Sequence, residues 1–251
     1  MSRAVDATHV ALDWLYKRHF SGYYRIYSGY KHATERFEKS LLESVIAPQS
    51  QVIDIGANVG YYTRIFSRAT GSGGRVFALE PDPDNFDRLI KRTQGLANVT
   101  PIETAAGSLD ATIDLFKSDR LNVDHRTYNP DGTRRAIQVR QMQVDNLPLQ
   151  ETKPLSLIKI DVQGAEVSVL QGCSRTLETF RTAVVFCELW PLGLRQFGSS
   201  PRELTSILQD TGRHCLLIKK RAILPTVPEG ILESSTQEYW NLLAVPSVSK
   251  D

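Results

Sequence analysis

Asp54, Gly56 and Gly60 stand in the run VIDIGANVGYYT, residues 52–63, where an apolar stretch meets a carboxylate and continues as a glycine-spaced turn. A turn of this composition brings bare backbone amides against a small ligand at the carboxyl end of a strand. Any Cβ at the glycines would collide with that ligand or forbid the required φ. The spacing D-x-G-x-x-x-G departs from the G-x-G-x-x-G that cradles a dinucleotide pyrophosphate. It reads as a pocket for S-adenosylmethionine in preference to a pyrophosphate.

A second carboxylate, Glu80, closes the apolar run RVFALE. At the tip of the neighbouring strand it can accept hydrogen bonds from both ribose hydroxyls of a nucleoside, each worth roughly 1.5–3 kcal/mol. NAD would use the same feature, so Glu80 alone does not choose between cofactors. Asn85 is a candidate to orient the ribose and equally a helix-cap partner. Ala105 and Ala106, in ETAAG, are small enough for an adenine ring to lie flat against backbone.

Two further carboxylates end apolar runs, Asp161 in SLIKID and Glu188 in VVFCEL. Asp161 belongs where the strand order reverses, the place at which open α/β sheets hold their ligands. Its candidate roles are gripping the methionine ammonium, accepting a proton or holding a cation. Glu188 at the same rim suits general-base work on a hydroxyl, a contribution of roughly 10²–10⁴-fold. His125 is the alternative base, with a suitable intrinsic pKa but a place in a long polar loop. Lys159 interrupts an apolar strand and must meet something polar if it is buried. Glu166 suits the first turn of a helix, and Asp145 the cap of a turn. No tight His/Asp cluster is present, so a divalent metal at Asp161 is not favoured.

These residues need a sheet to hold them. From Gln51 onward the runs QVIDIG, RVFALE, VTPIET, SLIKID and TAVVFCEL alternate with helical patterns, which argues a parallel sheet with crossovers. HCLLIKK and YWNLLAVP add an antiparallel pair at one edge, giving an α/β fold with a seven-stranded, mostly parallel sheet and helices on both faces. Asp82 followed by Pro83 predicts a helix start, as does Ser200 with Pro201 and Glu203. Residues 1–47 predict an aromatic-rich N-terminal helical extension, either a cap packed on the core or a lid that lines the substrate pocket. Residues 48–251 form the main domain. A polar loop, residues 117–136, is inserted between the strands TIDLF and AIQVRQM, and a loop of this length is functional or mobile.

At 251 residues, with 41% hydrophobic and 23% charged residues, the chain has the composition of one ordinary globular domain. A net charge of +2 is too balanced to imply polyanion binding by itself. Arg134 with Arg135, and Lys219 with Lys220 and Arg221, read as solvated surface. No run approaches the ~20 apolar residues of a membrane span, and no leader of secretory type opens the chain. Cys173, Cys187 and Cys215 lack metal or redox spacing, which fits buried thiols and a cytoplasmic location.

The set DIGANVGYYT, LEPDP with Asn85, VDNL and IKIDVQGAEVSVLQG resembles the FkbM family of S-adenosylmethionine-dependent methyltransferases. It covers residues 51–188, and its last motif is the most distinctive. The resemblance implies a class I methyltransferase (Rossmann-like) fold and O-methylation of a hydroxyl on a sugar or other metabolite. By motif position it implies that Asp54, Gly56, Asn58 and Gly60 form the methionine side of the pocket. Tyr62 and Thr63 would flank it, Glu80 would hold the ribose and Asp161 would face the reactive end. The expected partner is a small hydroxylated acceptor, with neither nucleic acid nor membrane, and a homo-oligomer is admitted.

Three other readings compete. A nicotinamide oxidoreductase fails on the glycine spacing and on the lack of a Tyr-x-x-x-Lys pair after a strand. A nucleic-acid methyltransferase lacks its Asn-Pro-Pro-aromatic motif and a dense basic stripe. A non-catalytic cofactor-binding module would have little use for Asp161 and Glu188.

Overall fold

The computed structural model describes residues 12, 14–118, 126–129, 132 and 134–247. The first strands in chain order are β1 (Gln51–Ile55), β2 (Arg75–Glu80), β3 (Val99–Glu103) and the two-residue β4 (Ala105–Ala106). A hairpin of β5 (Ala111–Phe116) and β6 (Ala136–Met142) precedes β7 (Leu155–Ile160) and β8 (Val184–Leu189). The last three strands are β9 (Arg213–Lys219), β10 (Ala222–Leu224) and β11 (Trp240–Pro246). The main sheet has the order β10-β9-β11-β8-β7-β1-β2-β3. Its central strands β8, β7, β1, β2 and β3 are parallel, and β11, β9 and β10 are antiparallel additions.

The sheet thus has eight strands where seven were expected. The extra one, β10, pairs with β9 across a tight turn at Lys220, whose φ is 58°. The basic cluster Lys219–Arg221 is that exposed turn. A second sheet, β4-β6-β5, carries the strands that bound the inserted loop.

β1 and β7 are buried along their whole length, which is why both read as continuous apolar runs instead of alternating ones. Their side chains feed two cores. Ile53, Ile55 and Ile158 pack on one face, Val52 and Leu157 on the other. Each buried aliphatic side chain contributes roughly 1.5–3 kcal/mol.

From Phe20 onward the described residues form nine α-helices. The first four are α1 (Phe20–Thr34), α2 (Arg36–Val45), α3 (Tyr61–Thr70) and α4 (Pro83–Thr93). The short α5 (Glu166–Gln171), α6 (Ser174–Thr179) and α7 (Pro191–Phe197) follow. α8 (Pro201–Asp210) and α9 (Glu229–Leu232) complete the set. α2 and α3 cover one face through Leu42, Ile65 and Phe66, while α5 and α8 cover the other through Val167, Leu204 and Leu208. The predicted starts hold: Asp82 accepts from the Asn85 amide at 2.9 Å, and Ser200 from the Glu203 amide at 3.1 Å. No described helix is long and apolar enough to cross a membrane.

Candidate active site

The carboxyl ends of β1, β2, β7 and β8 open into a cavity of about 950 Å³, which α1 and the segment around β11 also line. Gly56 starts its loop at φ +73°, and a Cβ there would stand 2.0 Å from the Asp161 carbonyl oxygen. Neighbouring backbone therefore forbids a side chain at this position. Gly60, at φ +82°, begins α3, and a Cβ there would press on Leu89.

The loop amides are not bare. Gly56 and Ala57 donate to the Leu79 carbonyl, Asn58 to Glu80 Oε2, Val59 to Asn58 Oδ1 and Gly60 to the Ala57 carbonyl. All five are satisfied within the protein, so the loop offers a contoured wall and no array of N–H donors for an anion. Glu80 closes this wall. It accepts the Asn58 amide at 2.8 Å on one oxygen and the Asp82 amide at 3.0 Å on the other. A carboxylate has about four acceptor sites, and with the Asn85 side chain also bonded to it one remains. Burial lifts its pKa to about 7 against the pull of those amides.

Asp54 and Thr63 lie beneath the cavity instead of along its lining. Asp54 is fully buried, accepts the Thr63 hydroxyl at 2.7 Å, and sits 3.5 Å from the Lys159 ammonium. Lys159 thereby finds the polar partners its strand position demands, because Asp161 Oδ2 lies 3.4 Å from it on the other side. Asp161 itself faces the cavity with its side chain 40% exposed. Desolvation pushes its pKa up, but the Lys159 and Lys31 ammoniums prevail and hold it below the ordinary carboxylate range.

Glu188 behaves in the opposite way. Burial, then the neighbouring Asp161 and Glu166 charges, push it well above the ordinary range. Gln163 spans the two carboxylates, its side-chain amide donating to Asp161 Oδ1 at 3.2 Å and Glu188 Oε2 at 3.1 Å. Gln163 has φ 55°, a left-handed conformation few side-chain-bearing residues adopt. Beneath it, Glu166 accepts the Gly164 amide at 3.2 Å and, with its pKa raised to about 7 by burial, closes the turn that leads into α5.

The opposite side of the cavity is built from distant segments. α1 supplies Tyr27, Tyr30 and Lys31, and Trp190, Tyr239 and Asn241 come from beyond β8. Lys31 pairs with Glu35 at 2.6 Å, and Glu35 in turn accepts the Tyr62 hydroxyl at 2.8 Å. Tyr62 therefore joins the glycine motif to α1. Asn58, Ala105 and Asn85 line the cavity with Gly56, Glu80 and Asp161. Asn85 also donates its backbone amide to the Asp82 cap of α4 and accepts the Tyr16 hydroxyl. Asp145 is elsewhere, binding the Thr176 amide and hydroxyl, both at 2.7 Å, to cap α6. His125 lies outside the described residues.

Sequence reasoning missed Lys31, Glu35 and Gln163. The i, i+4 spacing of Lys31 and Glu35 signals an ion pair, but not its placement against the cavity. Gln163 lies inside the quoted motif, directly before Gly164. Among the described residues, no group of three or more His, Cys, Asp or Glu is arranged to hold a metal ion.

A family model for the methyltransferase FkbM domain matches residues 54–215. The hexuronic acid methyltransferase AglP of Haloferax volcanii is 26% identical over 160 residues, 62% of this chain and 60% of that protein. Methyltransferase 1 of Beauveria bassiana is 26% identical over 146 residues, 49% of this chain and 58% of that protein. The crystal structure of an FkbM methyltransferase from Methylobacillus flagellatus shares the fold, with a TM-score of 0.50 and 17% identity. That match covers 79% of this chain and 44% of the other. The chain spans about 60% of the length of the curated relatives it matches.

Proposed function

This chain belongs to the FkbM methyltransferase family, and from that premise we propose that it methylates a hydroxyl of a sugar-like acceptor with S-adenosylmethionine. One observation carries the reading. All five amides of the glycine loop are taken up within the protein, while Glu80 and Asp161 present acceptors to the same cavity. Such a wall repels a pyrophosphate and suits a ligand that brings hydroxyls and positive charge. When bound, S-adenosylmethionine supplies an activated methyl group on a sulfonium centre.

In this reading Glu80 uses its remaining acceptor capacity for the ribose hydroxyls. Thr104, Ala105 and Ala106 give the adenine a flat seat. Asp161, kept ionised by Lys159 and Lys31, holds the methionine ammonium. Glu188 accepts the proton of the acceptor hydroxyl, its raised pKa making it the stronger base of the pair. Gln163 fixes both carboxylates, so the distance between ammonium grip and base is constant. Correct alignment of the acceptor can supply on the order of 7–11 kcal/mol. Helix α1 acts as the lid of the acceptor half, its Tyr27 and Tyr30, together with Trp190 and Tyr239, offering ring faces to a sugar. Residues 48–251 form the transfer domain.

Calorimetric titration with S-adenosylhomocysteine and, separately, NAD tests the cofactor; saturable heat with the first alone is expected. Transfer of radiolabelled methyl to free hexuronic acids and neutral hexoses tests the acceptor. The hexuronic acids come first because AglP is named for one. Heat with NAD but none with S-adenosylhomocysteine overturns the reading.

A further inference from the structure

On the far side of α1 lies a second concavity, about 540 Å³, between α1, α3 and α4. Its eleven lining residues include Arg25, Lys39, Arg64, Arg68 and Arg92, and none is Asp or Glu. The chain as a whole carries 30 basic and 28 acidic residues, so this local imbalance does not follow from composition. Lys39 has Glu43 at 3.9 Å. Among the described residues, the four arginines form no ion pair.

The arginines are also held in place. The Arg92 guanidinium lies 3.2 Å from the centre of the Tyr24 ring, and Arg64 donates to the Arg92 carbonyl. Burial and the charge of Arg64 hold Arg92 below the ordinary guanidinium range. Crowding half-buried like charges costs free energy that an external anion would recover. Guanidinium forks match phosphate oxygens two at a time, and the Tyr61 hydroxyl adds a donor. The basic groups are gathered in one short cluster, which favours a compact anion over an extended polymer, which needs a basic stripe.

We propose that this cleft binds a phosphate dianion, either a free phosphorylated small molecule or a lipid headgroup. The site is separate from the methyl-transfer cavity but shares a wall with it. Tyr61 lines the cleft, and its ring meets the edge of Tyr27, which lines the cavity, at 6.3 Å between centroids. A phosphate bound here braces α1 from outside while the acceptor occupies the inside.

The test is calorimetry of the full chain with inorganic diphosphate at constant ionic strength, on wild type and on Arg25→Gln/Arg68→Gln. Both side chains are exposed and stand outside the transfer machinery, so S-adenosylhomocysteine binding should persist and report an intact fold. Should the double variant fail to fold, Arg68→Gln alone takes its place. Saturable one-site binding is expected, weakened about tenfold or more in the double variant through loss of charge-assisted bonds. Absence of saturable heat, or equal affinity in the variant, overturns the proposal. Cosedimentation with phosphatidic acid vesicles, competed by diphosphate, assigns the headgroup source; diphosphate binding without cosedimentation assigns the free one. Cosedimentation that survives in the double variant also counts against the cleft.

Discussion

On the β1–β2 side of the cavity the polar groups are fixed by backbone. Glu80 is held by two main-chain amides, and the glycine loop is bonded to β2 and to itself. On the α1–β8 side they are fixed by other side chains, Gln163 between Asp161 and Glu188, and Glu35 between Lys31 and Tyr62. A backbone frame tolerates no change of register and so suits an invariant ligand. A side-chain frame can be re-cut one residue at a time, which suits a half that must fit a particular acceptor. The two halves should therefore fail differently when disturbed, the first as a folding unit and the second as chemistry.

Gly56→Ala should give the largest effect. Its Cβ would fall 2.0 Å from a main-chain oxygen at a φ of +73°, and neither neighbour can retreat without moving β7. A loss beyond about 4 kcal/mol is expected, enough to remove most folded protein. A thermal melt close to wild type would show that this half is no more rigid than the other. Glu188→Gln should come next, lowering kcat by roughly 10²–10⁴-fold while S-adenosylhomocysteine affinity stays at the wild-type value. In the wild type, activity should rise with pH as Glu188, held up by burial and by Asp161, loses its proton. The variant should lose that limb. Parallel loss of cofactor affinity would erase the division between the halves.

The same division explains what could be read from residue order. Asp54, the glycines, Glu80 and Asp161 each end a strand or open a turn, so local pattern and sheet topology suffice to bring them to one edge. The caps at Asp82 and Ser200 were legible for the same reason. The eighth strand was not, because three residues after a basic turn carry no periodicity. Glu35 and Gln163 bond partners 27 and 25 residues away in sequence, and Lys31 acts on the still more distant Asp161, so no local signal encodes such meetings. The glycine loop was legible as a turn at the sheet edge, but its amides were expected to be bare. Their internal bonding depends on the Leu79 carbonyl and the Glu80 carboxylate, which belong to another strand.

Glu80→Gln should weaken S-adenosylhomocysteine by roughly 1.5–3 kcal/mol, the worth of hydrogen bonds to a charged group. Its proton linkage is more specific. Burial raises Glu80 to about 7, and ribose hydroxyls that donate to it favour the ionised form. Binding below pH 7 should therefore release a proton, seen as a dependence of the calorimetric heat on buffer ionisation enthalpy, and the variant should abolish it. Folding follows the same proton linkage. Glu80 and Glu166 keep protons in the folded state that the unfolded chain gives up near 4.5, so both contribute a loss of stability as pH rises from about 4.5 to about 7. Melts across that window, with the ligand absent, should show the fall, and Glu166→Gln should flatten it.

Tyr62→Phe is the smallest change and the one that locates the border between the halves. The ring packs with Ile65 and Phe66 in the core that α2 and α3 share, and the variant keeps it. Only the hydroxyl bond to Glu35 Oε2 is lost, and Glu35 retains Lys31 on its other oxygen. With the Glu35 side chain 28% exposed, water can take the vacated site, so the stability cost should be about 1 kcal/mol. Lys31 and Glu35 lie on the acceptor side, so the kinetic effect should be a raised acceptor KM with kcat and S-adenosylhomocysteine affinity unaltered. By position in the glycine motif, Tyr62 flanks the cofactor; by its hydrogen bond it serves α1. A fall in S-adenosylhomocysteine affinity would assign it to the first role. A change confined to KM would mean that the side-chain frame reaches into the glycine motif itself, drawing the border between Gly60 and Tyr62.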